Sequence, residues 1–137
     1  MEVEEIKHLA SKIEGLCSEE DCGVLYSLAK NRAARGAILE IGSFKGRATV
    51  CLAKAQEEEK EDKVYTIDAN LFGTKSQLLK NIERFGVKDL VIPIFTHSAK
   101  ANKGWRHPLK LIWIDTDGNY FSGKCDFLLW EPYLVVG

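Results

Sequence analysis

The chain has 137 residues, the size of one domain able to bury a single core. A hydrophobic share of 45% with 28% charged residues excludes a disordered or fibrous chain, and 19 basic against 20 acidic residues leave no net field to draw nucleic acid or an anionic membrane. No apolar run approaches the roughly 20 residues of a spanning helix, and the opening MEVEEIKHLA is acidic where a secretory signal is basic, so a cytoplasmic setting is expected.

Ile6, Leu9, Ala10 and Ile13 recur at helical spacing among charges and predict an amphipathic surface helix over residues 3–14. Ser18 followed by Glu19, Glu20 and Asp21 reads as an N-cap with acids in the first turn. It opens a second helix with Val24, Leu25 and Leu28 on its apolar face, ending near Gly36. Residues 37–41, apolar and glycine-bounded, form a buried strand. Helical spacing returns from Lys45 to about Glu59 through Val50, Leu52 and Ala53, and the charged residues 57–63 are a solvated helix end and turn. A second strand (64–67), a helix (76–85) closed by Gly86, and a third strand (90–94) follow. After the polar stretch 97–107 come a fourth strand (109–114), a helix (121 to about 131) and, at 133–136, the start of a fifth strand.

Cys17, Cys22, Cys51 and Cys125 include no Cys-x-x-Cys pair and no histidine at ligand spacing, so a structural zinc site is not expected. They read as reduced thiols, although Cys17 and Cys22 are near enough along the chain to meet.

Strands alternating with helices require a parallel sheet with right-handed crossovers and helices on both faces, a doubly wound three-layer α/β/α domain. Such sheets bind ligands beyond the carboxyl ends of their strands, where strand order reverses. The residues to inspect are therefore 40–46, 68–70, 96–98 and 115–120. Glycines at 42 and 46 allow a tight turn and close approach of a ligand to bare backbone. Asp68, 22 residues after Gly46, ends the second strand, where an acid accepts from two ribose hydroxyls. Gly-x-x-x-Gly is neither the dinucleotide nor the nucleoside triphosphate loop, which disfavours a dinucleotide-dependent oxidoreductase. Four acids at strand ends, Glu40, Asp68, Asp115 and Asp117, would repel a pyrophosphate and suit a ligand bearing a sulfonium and an ammonium. Lys45 and Arg47 are expected to be solvated first-turn residues, with anion binding at the helix start as the other reading.

The stretch Leu39-Glu40-Ile41-Gly42-Ser43-Phe44-Lys45-Gly46-Arg47-Ala48-Thr49, with Val64-Tyr65-Thr66-Ile67-Asp68, resembles the first two cofactor motifs of class I, Rossmann-like methyltransferases. Leu111-Ile112-Trp113-Ile114-Asp115-Thr116-Asp117-Gly118-Asn119-Tyr120, then Lys124, Asp126-Phe127 and Trp130-Glu131-Pro132-Tyr133-Leu134, is similar to the small-molecule O-methyltransferase branch. The resemblance runs from about Ala37 to the end. It implies S-adenosylmethionine as cofactor, with Glu40, Gly42 and Gly46 on its methionine and ribose side, Asp68 at the ribose hydroxyls, His97 and Ser98 near the adenine, and Ser43 and Ala69 also among the cofactor-binding residues. Asp115 falls near the methyl group, as a catalytic residue or a strand cap; in metal-dependent relatives this position ligates a divalent cation. His97 stands where relatives often have an aspartate, and Gly118 where they have a histidine. The family continues with further strands beyond Val135-Val136-Gly137, so a fold truncated after about the fifth strand is expected. The implied organisation is two N-terminal helices (1–36) packed on a cofactor-binding domain (37–137), together one globular unit.

The expected function is methyl transfer to a small molecule, at oxygen; the alternative is a non-catalytic nucleoside-binding or oligomerising module on the same fold. Homo-oligomerisation is expected from the apolar final segment, and nucleic acid and membrane are not expected partners. Asp117 reads as bracing its turn with Asn119, His8 as a surface residue and His107 as structural. Trp105, Trp113 and Trp130 read as core or interface, with Trp105 also placed to cover an adenine.

Overall fold

The computed structural model describes residues 1–30, 34–57, 62–115 and 120–135. In chain order the elements are α1 (Val3–Ala10), α2 (Glu19–Ala29), β1 (Ala37–Ile41), α3 (Arg47–Ala55), β2 (Val64–Ile67), α4 (Lys75–Arg84), β3 (Val91–Ile94), α5 (Ser98–Ala101), β4 (Leu109–Ile114) and α6 (Tyr120–Trp130). Short 3-10 turns precede β3 and follow α6.

The four strands are parallel and ordered β3-β2-β1-β4. Strand order runs outward from β1 to β3 and then jumps to the other side, so the reversal lies between β1 and β4. Ile41 pairs with both Ile67 and Ile114, which brings Gly42, Asp68 and Asp115 to one edge of the sheet. Pro93, which has no N–H to donate, sits in the edge strand β3.

Side chains of β1 alternate between two apolar cores, as a pleated strand requires. Ile38 belongs to the core with α1, α2, α3 and α4, while Ala37, Leu39 and Ile41 join Ile67, Leu109 and Trp130 beneath α6. The sheet is thus covered on both faces, the three-layer doubly wound arrangement expected.

Several element boundaries differ from expectation for definable reasons. Helix α1 stops at Ala10, yet Ile13 stays buried, because its carbonyl is held by the Arg47 Nε at 2.6 Å. The α2 face is rotated: Cys22, Leu25, Tyr26 and Ala29 are buried, whereas Val24 and Leu28 are more than half exposed. That helix ends at Ala29, and Gly36 instead marks the entry to β1, at φ 148° with Pro108 O 2.8 Å from where a Cβ would stand. Helix α3 is shorter at both ends than expected, and residues 58–61 of the charged run lie outside the described residues. The fifth strand is represented by one parallel bridge, Leu109 to Leu134, with the Val135 N–H donating to Leu109 O at 2.9 Å; Tyr133 lies in the 3-10 turn before it.

Candidate functional site

A cleft of about 500 Å³ opens at the carboxyl edge of the sheet, across the point where strand order reverses. It is bounded by the β1–α3 turn, the β2–α4 loop, the start of α5, the end of β4 and the α1–α2 loop.

The β1–α3 turn is built on left-handed residues. Gly42 has φ 97° and donates its N–H to Ile67 O at 2.8 Å, which presents bare backbone to the cleft. Phe44 is left-handed without being glycine, φ 49°, and its N–H donates to Asp68 Oδ2 at 2.9 Å. Asn70, at φ 60°, likewise donates its N–H to Asp68 Oδ1, at 2.6 Å. One carboxylate therefore stabilises two strained backbone positions, on the two loops that flank the cleft.

Glu40 lies on the floor and is fully buried. Its Oε1 accepts from the Thr49 hydroxyl and, at 2.7 Å, from the Thr66 hydroxyl. With Thr66 donating to Glu40, the Ser43 hydroxyl donates in turn to Thr66. The other oxygen, Oε2, is buried without a partner. Burial pushes the Glu40 carboxyl up to about 8; the two threonine hydroxyls oppose this, and the charges of Asp115 and Asp68 add to it. Asp115 follows β4 with its N–H donating to Ile41 O at 2.8 Å; its carboxyl is raised by partial burial and by the charge of Asp21.

Of the residues singled out in the sequence, Glu40, Gly42, Ser43, Asp68, Ala69, His97, Ser98 and Asp115 all line this cleft. His97 caps the single turn α5, and the Ser98 hydroxyl accepts from Trp130 Nε1 at 2.7 Å. Gly46 does not line it. It is the left-handed N-cap of α3, at φ 96°, where a Cβ would come within 2.9 Å of Leu78 Cδ1, so this glycine serves the approach of α4. Asp117, Gly118 and Asn119 lie outside the described residues. Among the described residues, no group of three or more His, Cys, Asp or Glu is placed to hold a metal ion.

Trp105 is not among the lining residues; it packs edge-on against Tyr65 and Trp130 with ring centroids 4.9 Å apart and donates its indole N–H to His107 O. His107 stacks on Tyr65, a structural placement, and His8 is exposed.

Sequence reasoning missed one wall of the site. Arg47 is not simply solvated: its guanidinium donates to Ile13 O at 2.6 Å and Cys17 O at 2.7 Å, and Lys45 pairs with Glu14 at 2.7 Å. These bonds hold Gly15, Leu16 and Cys17 against the cleft, whose lining also includes Leu71 and Phe72, so that three strongly exposed apolar side chains border it. The available signal was Gly15, which follows the helical spacing read over residues 3–14 and where a Cβ would stand 3.0 Å from Arg47 Cβ.

A family model described as a methyltransferase domain matches residues 39–137. Among solved structures, the chain is similar to an O-methyltransferase from Bacillus cereus in complex with SAH (TM-score 0.77, 22% identity, 98% of this chain and 62% of that chain). It is also similar to the O-methyltransferase TomG from Streptomyces achromogenes, involved in tomaymycin synthesis and solved with SAM (TM-score 0.76, 20% identity, 98% and 61%). A third is an SAH-bound methyltransferase from Podospora anserina (TM-score 0.72, 18% identity, 92% and 55%). The chain spans about three fifths of the length of these structures.

Proposed function

Since the chain belongs to the methyltransferase-domain family, we propose that its cleft binds S-adenosylmethionine and that the protein transfers a methyl group to an oxygen of a small molecule. The observation that carries this reading is the convergence of Glu40, Asp68 and Asp115 on one cleft at the strand-order reversal. The acids at this edge oppose a phosphate and match a cofactor with two positive centres. The orphaned Glu40 Oε2 and the bare backbone at Gly42 fit such a group.

In this reading Asp68, already anchored by two N–H donors, is set to accept ribose hydroxyls on its remaining lone pairs. His97 and Ser98 flank the adenine end, and Ser43 and Ala69 lie beside the ribose. When bound, the cofactor supplies an electrophilic methyl group on a sulfonium. The protein's own part is alignment and removal of the acceptor's proton. Asp115 is the group proposed for that proton, since partial burial makes its carboxylate more basic than a solvated one. The donor set for a divalent metal is not assembled among the described residues. In the proposed organisation residues 1–36 pack on the cofactor-binding domain 37–137, and the α1–α2 loop contributes Gly15, Leu16 and Cys17 to the cleft.

Isothermal titration with S-adenosylmethionine and S-adenosylhomocysteine tests the binding claim, and no heat with either at high micromolar concentration overturns it. Turnover of a panel of small hydroxyl compounds then tests catalysis against a module that only binds. The similar O-methyltransferase structures support the oxygen acceptor.

A further inference from the structure

Ser18 is the N-cap of α2, its hydroxyl accepting from the Asp21 N–H at 3.0 Å. Cys17 therefore stands one residue before the cap and Cys22 at the fourth helical position, the two places whose side chains meet to fix the angle at which a chain enters a helix. They do meet, with their Sγ atoms 3.6 Å apart and both residues buried. Any two apolar side chains would serve that contact. Two thiols can also be joined across it, because a disulfide needs side chains already turned towards each other.

The two thiols are not equally reachable. Cys17 is 8% exposed and lines the cleft, whereas Cys22 is at 0%, as is Cys51 of α3, the other thiol beside it. A small uncharged oxidant entering the cleft meets Cys17 first. Cys22 sits on α2 within the core shared with α1 and α3, so the loop residue Cys17 is the one free to close the gap to a bonded separation of about 2 Å.

We propose that Cys17 and Cys22 form an oxidation site in the wall of the cleft: a peroxide oxidises Cys17 from the cleft side, Cys22 resolves it to a reversible disulfide, and a ligand in the cleft shields the pair. The shielding rests on the reading of the cleft as an S-adenosylmethionine site; the disulfide does not. In the first step the Cys17 thiol gives up its proton, its sulfur bonds to one peroxide oxygen, the O–O bond breaks, and the other oxygen leaves as water, which makes Cys17 a sulfenic acid. In the second the Cys22 thiol gives up its proton, its sulfur attacks Cys17 Sγ, and the sulfenic oxygen leaves as water. Two thiols lose two electrons to the disulfide, and one peroxide is reduced to two waters. The contact with Cys22 and burial raise the Cys17 thiol; with Cys17 pulling down, Cys51 and burial push the Cys22 thiol up to about 12. Few thiolates are present at neutral pH, so the reaction is slow there and is best read in mild alkali.

The test is treatment of the 137-residue chain carrying Cys125→Ser, which removes the exposed thiol, with hydrogen peroxide at pH 8.5. Alkylation, tryptic digestion and mass spectrometry follow. Cleavage after Lys12 and Lys30 leaves both cysteines in one peptide, residues 13–30, which contains no methionine or tryptophan. That peptide is expected to lose two hydrogens, to resist alkylation, and to recover both thiols with dithiothreitol. An unchanged peptide, a cross-link to the Cys51 peptide 48–54, or a gain of oxygen atoms in place of the lost hydrogens overturns the inference. Cys17→Ser should leave Cys22 unoxidised, and oxidation of Cys22 at the original rate refutes entry through Cys17. S-adenosylmethionine at ten times its Kd should slow disulfide formation by about tenfold, since only the unliganded fraction opens Cys17 to the oxidant. An unchanged rate in protein shown by titration to bind it overturns the shielding. Absence of binding removes the proposed function, whereas the masses of peptide 13–30 decide the disulfide independently.

Discussion

At Asp68 a single side chain holds two loops and, in the proposed function, also binds the cofactor, and the coupling of the two tasks can be measured. Replacing Asp68 with Ala frees the Phe44 and Asn70 N–H groups, both on left-handed residues. The expected cost is about 1–3 kcal/mol in urea denaturation, with at least a tenfold loss of S-adenosylmethionine affinity. Unchanged affinity alongside reduced stability would leave Asp68 as a loop brace only. Glu40 makes a different prediction. Its folded value near 8 lies above the ordinary 4.5, so between these pH values the folded protein keeps a proton that the unfolded chain has lost. Stability from this group is complete below about pH 4.5 and declines as pH rises towards 8. Denaturation midpoints of the unliganded chain should therefore show a downward slope in that window that Glu40→Gln removes. A slope of the opposite sign, or none in the difference, contradicts the assignment. The identity of Glu40 and Asp68 as candidate site residues was legible from strand ends and glycine spacing. Their hydrogen-bond partners were not, because Thr49, Thr66 and Phe44 reach them only after β1, β2 and α3 have packed.

Between elements, Arg47 and Gly46 set how α3 meets its neighbours. Arg47 links α3 to the α1–α2 loop through two backbone carbonyls, a fork that an ammonium cannot reproduce. Arg47→Lys should destabilise the chain by about 1–3 kcal/mol and weaken cofactor binding by loosening the wall at Gly15–Cys17. Chemical denaturation and titration read the two effects, and a full loss of stability with intact affinity would detach that wall from the site. Gly46→Ala carries both a φ of 96° and a 2.9 Å approach to Leu78, whereas Gly73→Ala carries a φ of 66° in open space. The first should cost about 2 kcal/mol or more and the second about 1 kcal/mol, a difference of roughly 3–5 °C in thermal midpoint. Equal midpoints would show that helix approach plays no part. Gly46 was expected at the cofactor from the glycine spacing and the family resemblance, and neither separates a glycine needed by a ligand from one needed by a neighbouring helix.

On the scale of the whole molecule, the sheet has β3 and β4 at its edges, and β4 is joined on its outer side by the single bridge to Leu134 among the described residues. Phe127 and Leu128 of the neighbouring α6 are exposed, at 45% and 57%. An open strand beside exposed apolar side chains favours association. The 137-residue chain is expected to sediment as a dimer or larger species at tens of micromolar; a strictly monomeric profile refutes this.

The order of strands and helices, the parallel sheet and the acid-rich edge were determined by the sequence alone, because hydrophobic period, glycine punctuation and charge are local properties of the chain. Tertiary structure decided which face of α2 is buried, that Gly46 serves α4, and that Arg47 turns back to hold the α1–α2 loop. It also decided that Glu40 keeps one carboxylate oxygen without a partner. Each depends on the distance between residues far apart in the chain, and no local pattern encodes that distance until the core has closed.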